Sequence, residues 1–283
     1  MNKTLELKKK LKGLLDSSEG QTFDFRLKDF SEELIQNRQC IPPLFRYMPA
    51  NYDNIRGLET QELFLSEIGS MNDIFEMMSA ATTADVINKL STISDLFYIK
   101  SFTENPNDLL MWGIYADSFR GMCVEYDLRD MNETAYYYHL FPVIYKEKRY
   151  PHSWFNIYTI RNFEKYKNEQ DFIDAEMLVD IYPAVICKAD RWRDEKEWRI
   201  IVTYMQMKAD KETGEIFDPD AFEEQYAINK QTIRFPYIKR VFIGPRMEER
   251  KRKHIEEIGK KNNFEVCNME LAETDYLLKQ RRI

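Results

Sequence analysis

The run Leu96-Phe97-Tyr98-Ile99-Lys100-Ser101-Phe102-Thr103 leads through Glu104-Asn105-Pro106-Asn107-Asp108 into Leu109-Leu110-Met111-Trp112-Gly113-Ile114-Tyr115-Ala116, and Gly121-Met122-Cys123-Val124-Glu125-Tyr126 follows. Aromatic and β-branched residues dominate 96–103 and 121–126, which reads as two strands. Asn105-Pro106-Asn107-Asp108 is a helix start, because the residue before a proline is biased away from helical geometry and an aspartate can cap the next turn. The stretch is therefore strand, helix over 108–116, strand.

Working outward, Cys40-Ile41-Pro42-Pro43 breaks helical structure and introduces a short apolar strand, Leu44-Phe45-Arg46-Tyr47. Further strands are predicted over 62–66, 141–145, 198–204 and 238–243. Helices are predicted over 84–90, 154–167, 172–186 and 247–262, with Gly244-Pro245 stopping a strand and opening the last of them. Leu5, Leu7, Leu11, Leu14 and Leu15 alternate with Lys8, Lys9, Lys10 and Lys12, so the chain begins with a helix, and a second is expected over 27–37. The polar segment 208–225, with Gly214 and Pro219, is expected to be a mobile loop. Strands and helices mix irregularly rather than as βαβ repeats. The expectation is thus an α+β fold: a mixed central sheet with surrounding helices in one domain over 41–283, preceded by a helical N-terminal extension over 1–40.

Composition bounds the function classes. Hydrophobic residues make up 43% and charged residues 31%, as in an ordinary folded chain. No stretch reaches the ~20 continuous apolar residues of a membrane helix, and the N-terminus lacks a signal-peptide run, so a cytoplasmic protein with no membrane partner is expected. Cys40, Cys123, Cys187 and Cys267 form no C-x-x-C pair, and the three histidines, His139, His152 and His254, are scattered; neither a metal centre nor a Ser-His-Asp site is suggested. With nine glycines and no G-x-G-x-x-G or G-x-x-x-x-G-K-[ST], the usual dinucleotide and P-loop sites are excluded. The net charge of −7 hides a basic end: residues 230–283 carry fourteen Lys or Arg against eight Asp or Glu, which could hold a polyanion locally.

Four segments combine aromatic and polar residues beyond what core packing requires. Arg46 on the first strand could grip a phosphate or carboxylate bidentately. Ser101 and Thr103 end a strand, and Trp112 with Tyr115 at i and i+3 of the next helix would set aromatic faces beside them, an arrangement suited to a flat heterocycle. Asn72-Asp73-Ile74-Phe75-Glu76 reads as a capped turn or as a wall of the same pocket. Glu195-Lys196-Glu197 runs into the apolar strand Trp198-Arg199-Ile200; carboxylates at spacing two fall on one side of a strand, and mutual repulsion would raise one pKa if both were desolvated.

Taken together, Arg46-Tyr47, Leu63-Phe64-Leu65-Ser66, Asn72-Asp73 with Glu76, Ser101-Phe102, Met111-Trp112, Tyr115-Ala116-Asp117, Gly121, Lys188, Trp192, Glu195 to Ile200 and Ile243-Gly244-Pro245 resemble a family of uncharacterised bacterial proteins known as a domain of unknown function. The resemblance runs from Leu44 to the C-terminus. The chain departs from it at Ile74, where the family usually has Pro, and at Lys100, where Cys is common. A second, weaker resemblance is to ADP-ribosyltransferases, including toxins that modify nucleic acid, through the early-strand Arg, the Ser/Thr-ending strand, the aromatic helix and the late E-x-E.

That second resemblance implies an ADP-ribosyltransferase-like fold, with NAD as substrate and Glu197 as the carboxylate at the ribose. It further implies Glu195 orienting or deprotonating the acceptor, Arg46 on the diphosphate or ribose, and Ser101 or Thr103 at the nicotinamide end. Tyr47, Trp112 and Tyr115 would stack on the rings, and Arg199 would pair with a carboxylate or phosphate. It points to a toxin or anti-phage effector; the basic C-terminal region favours an RNA or DNA acceptor, with a protein acceptor also open, and the leucine stripe of the N-terminal helices offers a surface for a neutralising antitoxin or regulatory partner. Two other classes stay open: a magnesium-dependent nuclease built on Asp194-Glu195-Lys196 with Asp117 or Glu125, and a non-catalytic binding protein.

Overall fold

The computed structural model describes residues 3–16, 38–68, 71, 73, 75, 97–129, 140–149, 185–203 and 232–282. The helices expected over 27–37, 84–90 and 154–167, most of 172–186, and the loop over 208–225 lie outside these residues.

The main sheet has nine strands. Its path is β13 (Leu278–Arg282), β12 (Glu265–Leu271), β11 (Ile238–Ile243), β5 (Met122–Tyr126), β1 (Leu44–Met48), β4 (Phe97–Thr103), β9 (Glu197–Thr203) and β6 (Leu140–Pro142), with β3 (Ser66–Glu67) also on β4. Only β11 and β12 run parallel; the other pairs are antiparallel. The sheet is mixed, and the fold is α+β. Two small ribbons flank it: β2 (Glu62–Phe64) with β10 (Thr232–Arg234), and β7 (Ile144–Lys146) parallel to β8 (Cys187–Ala189). Two predicted strands thus divide, 62–66 at Leu65 and 141–145 at Val143.

Register assigns the two faces, because residues paired across a ladder point the same way. Phe45 pairs with Thr103, Thr103 with Glu197 and Ser101 with Arg199, which sets Phe45, Tyr47, Ser101, Thr103, Glu197 and Arg199 on one face. Cys123, Phe242 and Cys267 continue that face under helix α3 (Leu109–Ile114), whose Trp112 and the following Ala116 are completely buried against it. The opposite face carries Leu44, Phe102, Val124, Trp198 and Val241. It is covered by α1 (Lys3–Asp16) through Leu7 and Leu11, α2 (Tyr52–Thr60) through Ile55 and Leu58, and α4 (Glu249–Asn262) through Ile255 and Ile258.

The first helix is therefore not a separate appendage. Leu7 and Leu11 are sunk in the same core as the sheet, and Lys8 lies over the Trp198 ring and pairs with Glu104. The stripe expected to await a partner is occupied there by the protein's own core; Leu5 stays exposed.

Local chemistry sets the ends of α2 and α3. Asn51 caps α2 by accepting from the Asn54 amide at 2.9 Å, and the left-handed Gln61 stops it. Asp108 caps α3, accepting from Leu110 at 2.8 Å and Met111 at 3.1 Å. After α3 the chain reverses through three left-handed residues, Asp117, Ser118 and Phe119. This tight turn delivers Gly121 against Gly244, whose amide donates to the Gly121 carbonyl at 2.9 Å. A Cβ on Gly121 would stand 2.3 Å from the Met48 carbonyl oxygen, and one on Gly244 2.3 Å from that of Phe119, so both positions require the absence of a side chain.

One ladder is short. β1 and β4 share the single register pair Phe45–Thr103, and the Arg46 guanidinium sits alongside, donating from Nη1 to the Ser101 carbonyl at 2.8 Å.

Candidate active site

The face under α3 opens into a cleft of about 210 Å³. β1 contributes Arg46 and Tyr47, β4 contributes Ser101 and Thr103, α3 and its exit contribute Met111 and Tyr115, and Lys188, Trp192, Glu195 and Glu197 close the far side. Segments as far apart in the chain as Arg46 and Glu197 meet here because the sheet order sets β1, β4 and β9 side by side.

Seven of the nine residues singled out from the sequence line this cleft: Arg46, Tyr47, Ser101, Thr103, Tyr115, Glu195 and Glu197. The other two do not. Trp112 has no exposed surface and meets Tyr47 edge-on at 5.2 Å, so it backs the Tyr47 ring rather than stacking on a ligand. Arg199 is likewise fully enclosed; its guanidinium is spent on Glu197 and, through Nη1, on the Val185 carbonyl. It cannot reach a ligand phosphate.

The carboxylates are arranged differently from the sequence expectation. Glu195 ends a 3-10 turn, Asp190–Glu195, and Lys196 is left-handed, so Glu195 and Glu197 do not share a strand pleat. They meet instead at Lys188, whose Nζ lies 2.7 Å from Glu195 and 3.0 Å from Glu197. Arg199 donates to both oxygens of Glu197, from Nε at 2.8 Å and from Nη2 at 3.2 Å. Tyr115 donates its hydroxyl to Glu195 at 2.8 Å.

Charge follows from this geometry. Burial alone would push the Glu197 carboxyl up, but Arg199 and Lys188, with hydrogen bonds from Arg199 and the nearby Ser101 hydroxyl, outweigh it and hold the group at about 2. At Glu197 the upward push expected of two repelling acids is reversed, because Lys188 stands between the carboxylates and Arg199 pairs with Glu197. Burial works against the Lys188 charge, yet Glu197 and Glu195 raise its pKa overall. Ser101 Oγ is enclosed beside the carboxylate without meeting strict hydrogen-bond geometry to any partner, which leaves a buried hydroxyl facing the cleft.

Supporting contacts fix the walls. Thr103 donates to the Glu195 carbonyl at 2.6 Å and accepts from the Asn105 amide at 3.0 Å, tying the strand end to the turn bearing Glu195. The Tyr47 hydroxyl donates to the Asn105 carbonyl at 2.9 Å and accepts from the Asp108 amide at 3.1 Å, so it locks the start of α3. The Glu197 amide donates to the Tyr145 hydroxyl at 2.8 Å. Asp73 both lines the cleft and accepts from the Phe75 amide at 2.9 Å, a local turn and a wall at once.

Lys188, Trp192 and Tyr145 were not among the assigned site residues. Lys188 and Trp192 stood in the motif set and lie within nine residues of Glu197, which was signal enough to include them; Tyr145 gave none. The acids of the nuclease reading do not converge: Asp117 and Asp194 are exposed and apart from the cleft lining, and Glu125 pairs with Lys239 at 3.1 Å. Among the described residues no group of three or more His, Cys, Asp or Glu side chains could hold a metal ion.

Fold and cleft together define an α+β protein with a buried, charge-paired carboxylate at the wall of an open polar cleft. Residues 111–200 match a family described as "Protein of unknown function (DUF2971)". The resemblance to a domain of unknown function is thereby shown over a span that holds Tyr115, Lys188, Glu195 and Glu197, but not Arg46 or Ser101. No curated protein and no solved structure matches the chain. No described helix is long and apolar enough to cross a membrane.

Proposed function

We propose that the cleft binds the nicotinamide-ribose end of NAD and transfers the ADP-ribosyl group, in an ADP-ribosyltransferase-like site. The observation that carries this reading is the meeting of Arg46, Ser101 and Glu197, from three distant strands, around one cleft beside Tyr47 and Tyr115. Breaking the bond between ribose C1′ and the nicotinamide nitrogen sends the electron pair to nicotinamide and leaves oxocarbenium character on the ribose. A carboxylate fixed as an anion in a partly dry wall stabilises that charge without reorganising. Glu197 has this property. Glu195, nearer the opening, accepts the proton that the acceptor loses as its new bond to C1′ forms.

Arg46 supplies positive charge for the diphosphate, and the Ser101 hydroxyl, beside Glu197 at the cleft wall, would bond the carboxamide or ribose. At about 210 Å³ the cleft has room for one end of a dinucleotide, with the remainder outside. The basic helix α4 packs on the other face of the sheet. An RNA or DNA acceptor would instead meet Arg191, Arg193 and Lys196, exposed on the turn that carries Trp192.

The test is nicotinamide release from labelled NAD by wild type and Glu197→Gln, with circular dichroism establishing that the variant is folded. A loss of roughly a hundredfold or more is expected; unchanged turnover refutes the assignment. A second reading, binding without chemistry, is favoured by one observation: both Glu197 oxygens are already satisfied by Arg199 and Lys188, as in a purely structural ion cluster. Thermal-shift titration separates the two, since NAD stabilisation without nicotinamide release supports binding alone.

A further inference from the structure

The face of the sheet opposite the cleft holds a second, larger cavity of about 470 Å³, within the usual range for small-molecule sites. α2 forms one side of it, β2 another, and its floor is Met48, Lys100 and Tyr126. Lys100 alternates with Ser101 along β4 and so points away from the cleft. Arg46, beside the single β1–β4 register pair, lines both spaces.

Lys100 is only 5% exposed, and its ammonium donates to one protein acceptor, the Phe64 carbonyl, with the Phe64 ring 5.8 Å away. Arg46 bonds the Ser101 carbonyl. Among the described residues no carboxylate pairs with either cation. Asp53 and Glu62 stand elsewhere on the lining; Asp53 is exposed, and Glu62 accepts from the Thr60 hydroxyl at 2.8 Å. Two neighbouring cations, one deeply buried, therefore share a cavity in which neither is in ion-pair contact with a described carboxylate, although Glu197 acts on Arg46 at longer range. Burial and the Arg46 charge both push the Lys100 pKa well down, the sign of an electrostatic debt that an incoming anion would relieve. Arg56 adds a third cation at the same cavity.

We propose that this cavity is a binding site for the phosphate group of a small phosphorylated molecule, held by Lys100 with Arg46. A phosphate supplies the acceptor oxygens that the two unused ammonium donors and the guanidinium fork lack. Met48, Leu58 and Leu63 would pack the organic part. The site lies on the opposite face of the sheet and shares Arg46 with the cleft, but does not rest on the NAD reading.

Inorganic phosphate and ribose 5-phosphate are titrated into the full-length protein by calorimetry and thermal shift, with chloride at matched ionic strength as control. Saturable binding and a concentration-dependent rise in Tm are expected with both phosphates and not with chloride. Lys100→Met should weaken binding about tenfold or more. Arg56→Glu, an exposed substitution that does not threaten folding, should weaken it as well. Absence of saturable phosphate binding by the wild type overturns the proposal, as does undiminished affinity in Lys100→Met or, if that variant does not fold, in Arg56→Glu.

Discussion

Replacing Glu197 by Gln removes one charge from a buried cluster, and its cost can be worked out in two ways. A carboxyl held at about 2, against an ordinary value of 4.5, contributes about 3 kcal/mol to folding at neutral pH. Independently, the substitution leaves Arg199, with no exposed surface, facing a neutral amide, and breaking such a buried pair costs about 3–5 kcal/mol. The two routes agree. Because the folded pKa lies below the unfolded one, the stabilisation is complete above the unfolded value and is lost as pH falls through the folded one. Urea denaturation of both proteins should show Glu197→Gln weaker by about 3 kcal/mol near pH 7, with the gap shrinking by about 2 kcal/mol near pH 3. A gap that stays constant with pH would mean that Glu197 is not held ionised by its neighbours, and would refute the electrostatic account of the cleft.

Lys188→Met should cost about 3 kcal/mol by chemical denaturation, since Glu195 and Glu197 then face each other without their shared cation; the deficit should narrow as pH falls and they take up a proton. Gly121→Ala forces a methyl onto the Met48 and Ala116 backbone, which side-chain movement cannot relieve, and should lower stability by about 3 kcal/mol or more, read as a fall in Tm and soluble yield. Asp108→Ala removes the cap of α3 and should cost about 1 kcal/mol in urea melts, while loosening the wall that carries Met111 and Tyr115.

The elements read best from the sequence are those with a strong local signal. Residues 238–243 form β11 as predicted, and 96–103 matches β4 within one residue, because dense aromatic and β-branched runs leave little choice. β13, Leu-Lys-Gln-Arg-Arg, was missed: an edge strand with one buried residue carries no apolar alternation. α2 was missed because only Ile55 and Leu58 are buried and Gly57 lowers helix propensity, so its caps and the sheet beneath it do most to define it. In the site, it is the register of β4 with β9 that sets Ser101, Thr103 and Glu197 on one face. Spacing failed at Glu195, where a left-handed Lys196 replaces the pleat; at Arg199 it held, because the residue pairs with a carboxylate on its own strand face, that of Glu197. Lone sequence spacing cannot tell a buried cation from an accessible one; that is set by what packs on the cleft face of β9, where Glu197 and the Val185 carbonyl take up the Arg199 guanidinium.

The one-pair junction between Leu44–Met48 and Phe97–Thr103 makes a seam in an otherwise continuous sheet. On one side lie five strands and on the other the remaining four, each block tied internally by longer ladders. Mechanical compliance should concentrate at this line, so backbone amides flanking it should exchange with deuterium sooner than those inside either block. Arg46 rivets the seam and borders a hollow on each side of the sheet, so a molecule that tightens its grip in one hollow stiffens the wall of the other.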